Sequence, residues 1–432
     1  MGSLFAELTR QASANARREV ETYAREIPEL QALDSDSRAR TEALEYAVWF
    51  RRRTVELAPR NGLLTDDDLG YIASMGEVRA GAGMSLDSRQ RVLRLHTELM
   101  LREINEATEA QRGGDVEELM RIMSWFAPQG ERGIGAYRRG FVTALRRRLP
   151  YVEQVGLLAR SLVSEDPMAA ELAQVTGMEL AGHYTVAVIR VPDCPLGDRE
   201  LGNGFEALVK AHRVPVVWCP GAGGVSGGAG GELVALVPGD ADTGAAAGAT
   251  AGTPAEALAG GDGTAGPSPA AAVTALVADF APVLGRLCAV GTAGAPRSAL
   301  AGALDRARRI SAAAPLRRTT ARPRPHTTAD VFVELAVADV PFVDDWLRTV
   351  ARLLRSGPDL LPTLDAYYRH DMNRGLAARA LNVHPRTLDY RLRRVRELTD
   401  IDPGSTRGVR ILSAVVTRSL SGAWRNPFRT RA

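Results

Sequence analysis

The chain has 432 residues, 45% hydrophobic and 24% charged, an ordinary globular composition whose length implies about three domains rather than one core. No apolar run approaches the roughly 18 residues of a membrane span, and the N-terminus lacks the apolar core and cleavage site of a signal peptide, so a cytoplasmic protein is expected. The net charge is only +3, yet from Thr363 to the end 14 arginines face six acids, a distribution typical of nucleic-acid binding.

From Leu4 to about Leu149 the periodicity is helical, with apolar residues three and four apart in ARTEALEYAVWFRRRTVEL and SLDSRQRVLRLHTELMLREINEAT. Ser85 suits the N-cap of the second segment, and Asp87 its first turn. Leu86, Leu93, Met100, Ile104 and Ala107 fall along one near-heptad stripe, fit for a bundle core or a dimer seam. Pro28, Asn61-Gly62, Gly81, Gly83 and Gly113-Gly114 punctuate these helices.

Near Tyr184 the pattern changes. TVAVIRVP, VPVVWCP and ELVALVPG read as strands, with GNGFEALVKAHR a helix between the first two. AAVTALVADFAPVLGRLC, a short strand AVGTAG and the helix SALAGALDRARRISAAA follow, an order that suggests an α/β sheet domain. Two low-complexity stretches interrupt it. Pro220 to Gly231 reads as a loosened hairpin tip and 240–271 as a disordered insertion, because neither buries enough apolar surface to offset its ordering entropy.

Several chemistries are excluded at this stage. Gly224-x-Ser226-x-Gly228 lacks the strand-then-helix setting of a nucleophile elbow. Gly261-x-Gly263-x-x-Gly266 has no strand before it, as a dinucleotide fingerprint requires. The one lysine, Lys210, stands outside any GxxxxGK[ST] motif, so there is no P-loop. Cys194, Cys219 and Cys288 form neither a disulfide framework nor a zinc site. The six histidines have no metal-ligand spacing, so no metal and no cofactor are expected. A single lysine against 53 arginines also marks a high-GC bacterial coding sequence.

After the Pro-rich linker ARPRPHTT the chain is helical again from Ala329. NRGLAARALNVHPRTLDYRLRRVRELTD is the sharpest signal. Asn373 can cap a short helix bearing Leu376, Ala377, Ala380 and Leu381. Asn382-Val383-His384 make the turn, and Pro385 suits the first position of a long Arg-rich helix. Short helix, tight turn and long helix make a helix-turn-helix. On the second helix Leu388, Leu392 and Val395 lie within about 60° and form the buried stripe, with Arg391 and Leu398 at its margin. Arg386, Asp389, Tyr390, Arg393 and Glu397 lie opposite, where arginine can read guanine and a carboxylate can accept from cytosine. Arg394 and Arg396 sit at the flanks, suited to phosphates.

These residues resemble the C-terminal domain of PucR-type, or CdaR-type, bacterial transcriptional regulators. The likeness rests on Thr363-Leu364, Tyr367, Ala377-Ala378, Leu381, Val383-His384, Thr387-Leu388, Tyr390-Arg391-Leu392, Arg394-Val395 and Leu398-Thr399. Glu77 to Met100 is similar to the N-terminal domain of the same regulators, itself related to stressosome co-antagonists, and the strand-helix middle resembles their GGDEF-like domain. Three departures stand out. His384-Pro385-Arg386-Thr387 replaces the usual His-Arg-Asn-Thr, Asp389 stands where a basic or neutral residue is usual, and Asp400 replaces a common glycine. The nearest match to a GG[DE]EF turn is Gly230-Gly231-Glu232-Leu233-Val234, and the first strand offers only Asp193. Two-metal chemistry needs more carboxylates, so no cyclase activity and no enzyme are expected.

The resulting expectation is a multidomain α+β protein: an all-α N-terminal bundle over 1–150, a degenerate GGDEF-like α/β domain over 165–320, and an all-α helix-turn-helix domain over 329–425. The resemblance implies an actinobacterial-type regulator that binds inverted-repeat promoter DNA as a homodimer. A small-molecule effector and RNA polymerase are its further candidate partners, with no membrane association. The DNA-binding set is Asn373, His384, Arg386, Thr387, Asp389, Tyr390, Arg391, Arg393 and Arg394. The alternative is a stressosome-like interaction scaffold without specific DNA readout.

Overall fold

A computed structural model describes residues 3–34, 36–110, 116–192, 198–221, 230–239, 268–284, 287–318 and 324–424. The chain is multidomain α+β and divides into two compact units, Met1–Pro150 and Tyr151–Ala432. No helix among the described residues is long and apolar enough to cross a membrane.

The first unit is all helical: α1 (Leu4–Glu26), α2 (Ser37–Leu57), α3 (Asp66–Gly81), α4 (Leu86–Ala110) and α5 (Val116–Arg148). The starts of α2, α3 and α4 have local causes. The Asp36 carboxylate accepts from the amides of Arg38 and Ala39, Thr65 and Asp68 form a capping box on α3, and Ser85 Oγ accepts from the Ser88 amide at 3.2 Å. Asn61 sits in the left-handed region at φ 51°, as a turn asparagine can.

The inward face of α4 departs from the expected stripe. Met100, Ile104 and Ala107 are buried, but Leu86 and Leu93 are only half-buried. Arg89, Val92, Leu99 and Glu103 take the inward positions instead. Apolar periodicity cannot find this face because two of its members are charged. Glu103 is buried against Arg51 of α2, which reaches both Glu103 and Glu19 at 2.5 Å.

The second unit opens with α6 (Tyr151–Val163) and α7 (Ala169–Thr176). A sheet follows, in which β1 (His183–Val191) is central. The strand order is β2 (Val216–Pro220), β3 (Gly231–Gly239), β1, β4 (Leu287–Pro296) and the two-residue β5 (Arg317–Arg318), with every neighbouring pair antiparallel. α8 (Asp198–His212) and α9 (Pro269–Leu284) cover one face, where Phe205 lies 5.7 Å from Trp218 and 5.8 Å from Phe280. α10 (Leu300–Ala313) and α6 cover the other. α6 therefore belongs to the sheet domain, although it precedes residue 165, where the sequence pattern starts that domain.

One sequence reading changes here. The short strand AVGTAG extends to ten residues, because Gly291 lets α10 come so close that a Cβ would lie 2.3 Å from the Ala307 carbonyl. Glu232 lies in the expected strand ELVALVPG, on β3 opposite Arg190 of β1, and is 4% exposed, with Arg308 Nε of α10 at 2.7 Å. Asp193, Ser226, the 261–266 glycines, Gly113-Gly114 and most of the 240–271 insertion lie outside the described residues.

Six helices complete the unit: α11 (Thr328–Ala338), α12 (Pro341–Arg355), α13 (Leu360–Arg369), α14 (Arg374–Ala380), α15 (Pro385–Thr399) and α16 (Thr406–Leu420). Leu354, Leu364, Ala377, Leu388, Val395 and Leu412 meet in their core. The helices are fastened to the sheet domain. Arg317 grips Asp365 of α13 through both Nη atoms at 2.6 and 2.7 Å, and the Leu316 amide donates to the Leu420 carbonyl.

Candidate nucleic-acid interface

The site is built on α14 and α15, and short-range chemistry forms it. Asn373 Oδ1 accepts from the Leu376 amide at 3.0 Å, starting α14. The helix ends in a Schellman pattern: Asn382 takes φ 53°, its amide donates to the Arg379 carbonyl, and the Val383 amide donates to Ala378. His384 is extended and caps α15, its Nδ1 accepting from the Arg386 amide at 3.2 Å. Pro385 follows at the first helical position, where a missing N–H costs nothing. The first turn of α15 is thereby presented to solvent in one fixed direction.

Leu388, Leu392 and Val395 are buried, so the orientation of α15 is fixed. Arg386, Tyr390, Arg393 and Glu397 are exposed on the other side, Tyr390 by 59%. Thr387 and Asp389 are half-buried beside them.

The arginines divide by partner. Arg391 turns back to the scaffold, with Asp359 Oδ2 at 2.8 Å and Thr363 Oγ1 at 3.4 Å. Arg394 pairs with Glu397 at 2.9 Å, and Arg396 stands 3.9 Å from Asp402. Arg374 of α14 meets Asp389 at 3.2 Å. Among the described residues, Arg386 and Arg393 form no ion pair. They stand seven residues apart, roughly 10 Å along the helix, which matches about three base steps.

The exposed face therefore brings together Arg386, Tyr390 and Arg393, with Asp389 at its edge and Asn373 and His384 holding its frame. Arg391 lies off that face. Sequence reasoning left out Arg379, an exposed residue in the last turn of α14 that forms no ion pair among the described residues. Its signal was present, since it follows the buried Ala377-Ala378 pair and must point outward.

Comparison with known proteins agrees with this geometry. The family model of the PucR C-terminal helix-turn-helix domain matches residues 360–415. That of the RsbT co-antagonist protein rsbRD N-terminal domain matches residues 13–154. Uncharacterized proteins of Mycobacterium tuberculosis and Mycobacterium bovis are 35% identical over 100 residues, which is 22% of this chain and 23% of each of theirs. The chain thus aligns with under a quarter of the length of these curated relatives. A solved regulator of polyketide synthase expression from Bifidobacterium adolescentis aligns at 17% identity and a TM-score of 0.25, covering 64% of this chain and 97% of that one. Residues 360–415 are thus a PucR-type helix-turn-helix domain by this match, and residues 13–154 an RsbRD-type domain.

Proposed function

We propose that this chain, a PucR-type helix-turn-helix domain behind an RsbRD-type domain, is a sequence-specific DNA-binding transcriptional regulator. The observation that carries the reading is the pair Arg386 and Arg393. Both are exposed on one face of α15, two turns apart, and are left without the carboxylate partners that most neighbouring arginines have. α15 inserts its N-terminal half into the major groove, Arg386 and Arg393 meet base edges, and Arg379, Arg394 and Arg396 face phosphates.

The reading includes a two-fold dimer on an inverted repeat, since one helix reads too few bases. An apolar stripe on α12 supports it. Phe342 is 78% exposed, Trp346 47% and Leu353 43%, all within about 40° of one another. Asp345 lies beside the stripe towards the helix N-terminus, with Arg348 and Arg352 further along the same flank. Antiparallel pairing with a second copy sets each Asp345 against the other copy's arginines, as a self-complementary interface needs. An effector acting through the first unit and contact with RNA polymerase complete the proposal.

The test is a binding-site selection on wild type, Arg386→Ala and Arg394→Ala, with salt titrations. Arg386→Ala is expected to cost about 1–3 kcal/mol and relax one position per half-site. Arg394→Ala is expected to weaken all sequences alike and make the salt slope shallower by about 1 per subunit. Absence of any salt-dependent DNA binding would overturn the proposal in favour of an interaction scaffold.

A further inference from the structure

The interior of the first unit holds a cavity of about 70 Å³ between α1, α2, α3, α4 and α5. Its wall is largely aromatic, with Tyr23, Tyr46, Phe50 and Tyr137; His96 lines it paired with Glu19, and Arg79 reaches it from α3. The Arg79 guanidinium carbon lies 5.3 Å from the ring centre of Tyr23 and 5.6 Å from that of Tyr137. Both rings are 3% exposed, and Arg79 itself is half-buried.

Charge balance in this interior is uneven. Arg51, buried close by, is met by two carboxylates, Glu19 and Glu103. Arg79 has no carboxylate within 4 Å among the described residues. Glu19 does line the cavity, but its oxygens are taken by Arg51, by His96 at 2.8 Å and by the Tyr23 hydroxyl. A guanidinium between aromatic rings keeps donors in a planar fork that suits a carboxylate.

The cavity also has a sequence origin. Gly130 lines it from within α5, where glycine is unfavourable, and a Cβ there would meet nothing within 4 Å. Gly76 and Gly140, by contrast, are required by close helix contact. Gly130 answers to no neighbour, and its missing side chain leaves space.

Size sets the ligand class. A cavity that admits benzene is about 150 Å³. Half that volume excludes a ring and admits a short chain.

We propose that the first unit binds a small aliphatic monocarboxylate of roughly two to four carbons, its carboxylate on Arg79 and its chain among the tyrosine and phenylalanine rings. This deepens the effector part of the function proposed above and rests on it only for its regulatory meaning.

The experiment titrates the full-length protein, without DNA, with sodium propionate, propionamide and propylamine, at ionic strength matched with sodium chloride. Calorimetry and thermal unfolding give the readouts. Saturable propionate binding is expected, with propionamide and propylamine at least tenfold weaker. Gly130→Leu, which fills the space, is expected to keep the helical circular dichroism signal and lose propionate affinity at least tenfold. Arg79→Gln is expected to lose the preference for propionate over propionamide. Equal binding of propionate and propionamide, no saturable binding of either, or unchanged propionate affinity in Gly130→Leu would each overturn the proposal. A protein that binds propionate but no DNA refutes only the regulator reading. One that binds DNA but no carboxylate refutes only this one.

Discussion

Asp400 ends α15 with φ 55°, and its amide donates to the Arg396 carbonyl at 2.9 Å. An L-residue pays for this left-handed backbone and glycine does not, a physical reason for the glycine that the resemblance leads one to expect here. Asp400→Gly is expected to raise stability by about 0.5–1 kcal/mol, seen as a later midpoint in urea. Glu232 shows the opposite case. Its carboxylate is buried on β3 and Arg308 covers it, so it is structural. Arg308 is 40% exposed and can return to water, which limits the loss on breaking the pair. Glu232→Ala is expected to destabilise the second unit by about 1–2 kcal/mol while the folded protein keeps its DNA affinity. A binding loss larger than the stability loss would give Glu232 a role in DNA binding.

Between elements, backbone spacing decides what glycine does. Gly140 of α5 crosses α3 so closely that a Cβ would lie 1.9 Å from the Ala73 carbonyl, and Gly76 of α3 answers it with 2.2 Å to the Tyr137 carbonyl. Gly70, also on α3, is exposed, and a Cβ there meets nothing within 4 Å. The same substitution therefore has opposite signs. Gly140→Ala is expected to cost about 1–3 kcal/mol through overpacking. Gly70→Ala is expected to gain up to about 1 kcal/mol from helix propensity. Thermal unfolding of the two variants side by side checks both, and a loss in Gly70→Ala would mean that its open space is filled in solution.

At the scale of the whole molecule, the two units respond differently to acid. Burial opposes the charge of Glu19, but His96 and Arg51 outweigh it and hold the carboxyl well below its usual range. Burial also opposes Glu29, yet the Ser88 hydroxyl and the Ser85 amide bring it down to about 2. Asp68 is lowered likewise, with Thr65 and Arg53 outweighing burial. A depressed carboxylate stabilises the fold above its unfolded pKa of about 4, and that stability is lost as pH falls further. In the second unit burial raises Glu334, whose stabilising contribution is present at low pH and lost as pH rises. Acidification from pH 6 to 3 is therefore expected to loosen residues 4–148 before 151–424. Hydrogen exchange read by mass spectrometry, corrected for intrinsic rates, checks the order, and the reverse order would contradict these assignments.

The sequence by itself determined the helix-turn-helix, because its instructions are local. Asn373, Asn382, His384 and Pro385 act within a few residues of themselves, and the Leu388, Leu392, Val395 stripe needs only helical periodicity. It also determined that helices precede and follow a sheet, since the change from three-and-four spacing to β-branched runs is visible along the chain. Only the tertiary structure decided which charges are used up. Arg391 and Arg393 both belong to the DNA-binding set expected from sequence, but Asp359, distant in the chain, claims the first, while the second forms no ion pair among the described residues. Glu103 faces inward on α4 because Arg51 waits there, and Gly291 sits within a full strand because α10 presses against it. Pairings between residues far apart in the chain leave no periodic trace, so they become legible only once the helices and strands have been brought together.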